Sequence, residues 1–198
     1  MKEKDFFNQI AESWDATNDS STPEKVNAVL DKAEIGRGHR ILDIGTGTGI
    51  LLPYLASRVG AEGGITAVDL AENMLERAKK KYEGLTPTPT FLLANIEEEA
   101  VEGRYDRIML YCVYPHIHNP EQTLRRLAEN NLAPGGRIII AHPTGRDFIN
   151  NVHHERPIHS EGLAAGTDVK SQLSKVGLHT DIIADDANLY ILAVTPGF

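Results

Sequence analysis

The stretch Asp43-Ile44-Gly45-Thr46-Gly47-Thr48-Gly49 sets three glycines at alternate positions behind an acid. Glycine carries no Cβ, so such a turn adopts positive φ and lets the backbone approach a flat ligand closely. Twenty residues after Gly49, Asp69 closes a second apolar run, where a carboxylate accepts hydrogen bonds from both hydroxyls of a ribose. Leu70 and Met74 follow at positions from which apolar groups sandwich an adenine ring. The dinucleotide fingerprint G-x-G-x-x-G needs a glycine at position 50, which is Ile50; the spacing here is G-x-G-x-G. The alternatives to this reading are a tight turn for the three glycines and a helix cap for Asp69.

Such a loop binds a ligand only where strand gives way to helix at the carboxyl edge of a sheet. The flanking segments meet that condition: RILDI (40–44) reads as a buried strand and GILLPYLASRVG (49–60) as a helix closed by Gly60. The alternation continues with strand 65–69, helix 71–82, strand 90–94, strand 105–113, a helix over 120–132 with Pro120 at its first position, and strand 135–142. Strands separated by helices imply a parallel sheet with helices on both faces. Upstream, Phe6, Phe7, Ile10 and Trp14 share helical spacing, and Thr22-Pro23 opens a helix carrying Val26, Val29, Leu30 and Ala33. After a helix over 168–177, strands 178–184 and 188–194 are joined by only Asp185, Asp186 and Ala187, which forces an antiparallel hairpin.

Bulk properties narrow the function. With 198 residues, 41% hydrophobic and 24% charged, the chain has the size and composition of one globular α/β domain. We divide it into N-terminal helices forming a flap (1–35), a ligand-binding core (36–142), and an acceptor-side segment with the terminal hairpin (143–198). A net charge of −8 provides no basic field for a nucleic-acid backbone. No apolar run has the length of a membrane span, and acids interrupt the opening residues where a signal peptide is apolar. The single cysteine, Cys112, forms no internal disulfide. These features lead us to expect a cytoplasmic protein without a membrane span.

Several motifs together resemble class I S-adenosylmethionine-dependent methyltransferases. The acid-led G-x-G-x-G loop is similar to their first motif, and five parallel strands with a terminal hairpin resemble their seven-stranded Rossmann-like sheet. The segment from Tyr105 to Pro143 is similar, nearly position by position, to that of the ubiquinone and menaquinone methyltransferase-like group. There the pattern is strand, "HH", "DPE", helix, "LxPGG", strand. Here Pro115 stands for the first histidine, His116 keeps the second, Asn119-Pro120-Glu121 occupies the "DPE" positions, and Leu132 with Pro134-Gly135-Gly136 forms the last turn.

The resemblance implies S-adenosylmethionine as cofactor, with S-adenosylhomocysteine as its product. Asp43, Gly45, Thr46, Gly47 and Gly49 then form the loop around its methionine and ribose parts. FLLANIEEE is similar to the third-strand motif, in which an acid accepts from the adenine amino group; Asn95 occupies that position, and Ile96 offers the next backbone N–H. Trp14 falls on a flap over the cofactor. Tyr111 and Tyr114 read as core and rim residues rather than catalysts, with Tyr111 on the cofactor side. His116, just past the fourth strand, is the candidate general base.

Residues 114–118 and the segment from His142 to His159 are expected to wall an acceptor pocket. The histidines there (His142, His153, His154, His159) match no H-x-x-x-H metal spacing, so no metal is expected. CVYPH lacks the Asp/Asn-Pro-Pro-aromatic signature of amino methyltransferases acting on DNA. The expected partner is a small-molecule acceptor, with the chain a monomer or homodimer. Two other functions stay open: an NAD-dependent oxidoreductase, which shares the ribose acid, and a catalytically silent S-adenosylmethionine-binding protein.

Overall fold

Apolar residues in consecutive pairs along the strands are what two cores on opposite faces of a sheet require. The computed structural model describes residues 3–17, 21–154 and 162–197, without the side chains of 17 and 152–154. Within it, Ile108 and Leu110, Ile138 and Ile140, and Leu192 and Val194 enter one core. The residues between and beside them, Met109, Tyr111, Ile139, Ala141, Ile191 and Ala193, enter the other.

The chain opens with α1 (Glu3–Ile10), α2 (Trp14–Thr17) and α3 (Pro23–Lys32). Then come β1 (Arg40–Ile44), α4 (Leu52–Val59), β2 (Gly64–Asp69), α5 (Glu72–Lys81), β3 (Thr90–Leu93) and β4 (Tyr105–Tyr111). A 3-10 turn (Tyr114–His116) leads to α6 (Pro120–Asn131), β5 (Leu132–His142), α7 (Arg146–His154), α8 (Gly166–Ser174), β6 (Leu178–Asp185) and β7 (Tyr190–Pro196). Helices α6 and α8 cover the first core through Leu124, Leu127, Val169 and Leu173. Helices α3 and α4 cover the second through Val26, Val29, Leu30, Leu52 and Leu55.

The seven strands lie in the order β3-β2-β1-β4-β5-β7-β6. The five strands β1 to β5 pair in parallel, and β7 inserts antiparallel between β5 and β6. This is the Rossmann-like sheet with a C-terminal antiparallel pair. After β1 the chain works outward to β3, then returns to lay β4 on the other side of β1. That reversal opens a crevice at the carboxyl ends of β1 and β4, where open α/β sheets hold their ligands.

Local boundaries depart from the sequence reading in instructive ways. The fourth strand stops at Tyr111 instead of 113, because Cys112 takes φ 59° and turns the chain into the 3-10 segment. The helix after the glycine loop begins at Leu52, since residues 48–51 are spent on the turn. Thr22 holds the N-cap position of α3, but its hydroxyl makes no capping bond. Residues 146–154, expected only as pocket wall, form α7. His159 lies outside the described residues, as do the side chains of His153 and His154. No helix among the described residues is long and apolar enough to cross a membrane.

Candidate functional site

Ile44, Asp69, Tyr111 and His142, the last residues of β1, β2, β4 and β5, all line one cavity of about 460 Å³. Its size falls within the range of small-molecule and cofactor sites. The parallel strands therefore converge on it by their carboxyl ends, and the loops that follow them supply its functional groups.

The glycine loop forms one wall through Gly45, Thr46 and Gly47. Gly45 has φ 67°, and a Cβ there would stand 2.0 Å from Cγ2 of Val113, so only glycine lets this loop pass the end of β4. Gly49 does not line the cavity; a Cβ on it would meet Leu52 and Tyr82 at 2.8 Å, so its role is in packing the loop against α4 and α5. Asp43 is also off the cavity surface, 2% exposed behind the loop, where it accepts the Thr46 hydroxyl at 2.7 Å. Burial pushes its carboxyl up to about 7, the nearby Asp69 charge adds to this, and the Thr46 bond opposes it.

Asp69 does more than its sequence position suggested. Oδ2 accepts the Gly47 N–H at 2.8 Å and Oδ1 accepts the Ala71 N–H at 2.8 Å. The carboxylate thus ties the glycine loop to the start of α5. Asp69 lines the cavity, with lone-pair capacity left on its oxygens for a ligand hydroxyl. Burial raises its pKa, and the backbone N–H bonds counter that rise.

Beyond Asp69, Leu70, Met74, Ala94, Asn95 and Ile96 continue the wall. Met74 and Ile96 are buried, 1% and 8% exposed, which fits a dry slot for a flat ring. The Asn95 side-chain oxygen accepts the Glu97 N–H at 3.1 Å, so it is turned to stabilise its own loop and has one lone pair to spare. The Arg126 guanidinium holds the Ile96 carbonyl.

The opposite rim carries His116, Ile117, His118, His142, Phe148 and Ile149. His142 is 1% exposed, with its ring edge-on to Tyr190 at 6.2 Å between centroids. Nδ1 of His118 lies 3.1 Å from Glu97 Oε2, while Glu97 Oε1 accepts the Asn119 N–H at 2.8 Å. Nδ1 of His116 lies 3.2 Å from Oε1 of Glu3. Tyr111 donates its hydroxyl to Ser21 at 2.9 Å, and burial raises the pKa of its phenol far above the ordinary value.

Over the cavity sit α1 and α2. Phe7 packs edge-on against both Trp14, at 5.8 Å, and His116, at 5.6 Å. Asn73 donates its backbone N–H to Asn8 Oδ1 at 2.9 Å and its side-chain amide to the Asn8 carbonyl at 3.1 Å. Asp15 accepts the Thr48 hydroxyl and pairs with Lys81 at 3.0 Å. The N-terminal helices are therefore clasped to the glycine loop and α5.

The cavity brings together Trp14, Gly45, Thr46, Gly47, Asp69, Leu70, Met74, Asn95, Ile96, Tyr111 and His116, and leaves Asp43 and Gly49 behind its wall. Sequence reasoning missed Glu3 and Glu97, because their partners lie 113 and 21 positions away and no local motif marks such a pairing. Among the described residues no cluster of His, Cys, Asp and Glu has the arrangement of a metal site.

A family model described as a methyltransferase domain matches residues 35–179. The ubiquinone/menaquinone biosynthesis C-methyltransferase of Idiomarina loihiensis is 29% identical over 143 residues, covering 69% of this chain and 57% of the relative. The malonyl-[acyl-carrier protein] O-methyltransferase of Priestia megaterium is 30% identical over 140 residues, covering 70% and 50%. This chain spans about half the length of these curated relatives. In structure it resembles a SAM dependent methyltransferase from Aquifex aeolicus, with a TM-score of 0.73 at 18% identity and 98% of both chains covered.

Proposed function

This chain belongs to the methyltransferase domain family, and from that premise we propose that it transfers a methyl group from S-adenosylmethionine to a small-molecule acceptor. The observation that carries this reading is the charge of the cavity. Glu3, Asp69, Glu97 and Glu98 line it, and no Lys or Arg does so among the described residues. A site of this sign suits a sulfonium cation and disfavours the pyrophosphate of a dinucleotide. Ile50 also lines the cavity where a dinucleotide loop would need a third glycine.

When bound, S-adenosylmethionine supplies a methyl group already activated by its sulfonium charge and leaves as S-adenosylhomocysteine. The residues of this chain fit it. The Cβ-free edge of Gly45 and Gly47 admits close backbone approach, and the spare lone pairs of Asp69 accept the ribose hydroxyls. Leu70, Met74 and Ile96 enclose the adenine, with Asn95 and the Ile96 N–H at its edge. Asp43 and Thr46 hold the loop from behind, Gly49 sets its turn, Tyr111 closes the floor, and Trp14 belongs to a flap that shields the cofactor.

The main catalytic contribution is alignment of the two reactants, which is worth about 7 to 11 kcal/mol at best, whereas a positioned base adds about 3 to 5 kcal/mol. His116 is the proposed base, taking the acceptor's proton where the acceptor carries one. The rim from His116 to His118, with His142, Phe148 and Ile149, receives the acceptor, while Tyr114 and Pro115, expected in the same wall, are buried off the cavity surface. We assign residues 36–142 to cofactor binding, 1–35 to the flap and 143–198 to the acceptor side. The net charge of −8 supports a small molecule over a nucleic acid, and the reading places the reaction in the cytoplasm.

The test is direct. Calorimetry should detect S-adenosylmethionine and S-adenosylhomocysteine binding, and metabolite pools incubated with isotopically labelled methyl donor should yield a labelled product whose mass identifies the acceptor. Binding of NAD in place of both compounds would refute the proposal. Binding with no labelled product from any pool would favour a catalytically silent role.

A further inference from the structure

The first turn of α1 delivers a carboxylate to the imidazole at the far rim of the cavity. Glu3 Oε1 and His116 Nδ1 are 3.2 Å apart, and the two side chains are only 13% and 11% exposed. Both line the cavity, and Phe7, one turn along the same helix, packs its ring edge-on to the same imidazole at 5.6 Å. Burial on this scale limits the solvent screening that makes exposed ion pairs weak. The histidine is thus held from two sides by α1.

We propose that Glu3 is the positioning residue of His116: its carboxylate fixes the ring as the Nδ1–H tautomer and leaves Nε2 as the nitrogen that takes the acceptor's proton. The proposal rests on the methyl-transfer reading and on the role of His116 within it. An ionised carboxylate only accepts, so the contact is a hydrogen bond when the proton sits on Nδ1. The basic lone pair is then on Nε2. In the reaction the acceptor's bond to hydrogen breaks, its electron pair forms the bond to the methyl carbon, and the proton passes to Nε2. The electrons of the broken carbon–sulfur bond stay on sulfur. The imidazolium so formed keeps Nδ1–H on Glu3, which stabilises the new positive charge where it arises.

A second consequence follows from where Glu3 sits. Helix α1 is seated by Asn8 on Asn73 and by the Asp15–Lys81 pair just beyond it. The contacts that seat this helix therefore also hold the carboxylate that orients the base.

The experiment is histidine-selective nitrogen-15 NMR of the full chain at alkaline pH, where imidazoles are neutral, with the His116 signals assigned by their loss in His116→Gln. The wild type is expected to show Nδ1 protonated and Nε2 unprotonated at His116. Glu3→Ala should return the ring to the Nε2–H form that a solvated histidine side chain prefers, while Glu3→Gln, which keeps an accepting oxygen, should retain Nδ1–H. With the acceptor identified by the labelled-methyl screen, both variants should lower kcat about tenfold or more. KM and the affinity for S-adenosylhomocysteine should stay within about threefold, which also verifies that the variants fold. A wild-type His116 protonated on Nε2, or a tautomer unmoved by Glu3→Ala, would overturn the assignment of Glu3 while leaving the methyl-transfer reading intact. If wild-type protein binds neither S-adenosylmethionine nor S-adenosylhomocysteine, that reading itself fails and this inference falls with it.

Discussion

The two halves of the cavity are built by different means. On the side of β1 and β2 the groups hold one another over short stretches of chain: Asp43 fixes Thr46 three residues on, and Asp69 fixes Ala71 two residues on and Gly47 in the neighbouring loop. On the side of β4 and β5 the decisive contacts cross the molecule, as with Glu3 and His116, 113 positions apart, or Tyr111 and Ser21, 90 apart. The first half consists of backbone N–H groups and a hydroxyl locked by buried carboxylates, an arrangement suited to a constant ligand. The second consists of side chains brought in by separate elements, so its shape changes when any of those elements changes. One scaffold can in this way keep its cofactor while its acceptor varies.

The largest expected effect tests the first half. Asp69→Ala removes the acceptor of two backbone N–H groups as well as the proposed ribose contacts. At about 1.5 to 3 kcal/mol per hydrogen bond to a charged group, S-adenosylhomocysteine affinity should fall by at least a hundredfold, or about 3 kcal/mol. Titration calorimetry reads this directly. Unchanged affinity would mean that the loop holds its shape without the carboxylate and that the ribose site is misassigned.

The second expectation concerns pH. Burial lets the folded protein hold the Asp43 proton up to about pH 7, whereas an exposed aspartate loses it near 3.8. Its contribution to stability is therefore fully present below about pH 3.8 and is lost as the pH rises to about 7. The difference between the two values corresponds to at most about 4 kcal/mol. Asp43→Asn keeps an acceptor for Thr46 and should abolish this fall. Urea midpoints of both proteins across that window decide the matter, and parallel curves would show that Asp43 stays ionised when folded.

A third measurement separates the halves. His116→Ala should lower turnover at least about a hundredfold while S-adenosylhomocysteine affinity stays within about threefold, since the ring serves the acceptor side alone. Should affinity fall in step with turnover, the division drawn here is wrong. Loss of rate that disappears above the acceptor's own pKa would identify proton removal as the missing step.

The smallest effect is spectroscopic. Trp14, the only tryptophan, lines the cavity beside Gly47. Its emission should shift when S-adenosylhomocysteine binds, and amide exchange over residues 5–17 should slow as the flap is secured. Identical emission and exchange in the two states would make α1 and α2 a fixed wall.

Much of the first half was legible before any coordinates. A strand, a G-x-G-x-G turn and a helix follow one another within 20 residues, and Asp69 ends the next strand, so local periodicity and backbone freedom place these groups without long-range information. What the spacing does not show is how the groups are deployed: Gly49 packs against Leu52 and Tyr82, and Asn95 spends one lone pair on the Glu97 N–H. Both depend on where a side chain points, which residue type alone does not fix. On the other half the likeness of the Tyr105–Pro143 segment identified His116, but not its partner.

By itself, the sequence determined the alternation of strands and helices, the acid-led glycine loop, the acid that ends β2 and the terminal hairpin, because each is written in the spacing of neighbouring residues. Only the tertiary structure decided the strand order, the insertion of β7 between β5 and β6, helix α7, and the meeting of Glu3 with His116. These depend on which faces find each other across the sheet. Hydrophobic burial drives that choice but has no direction of its own, so one pattern of apolar residues is compatible with many pairings until the whole chain packs.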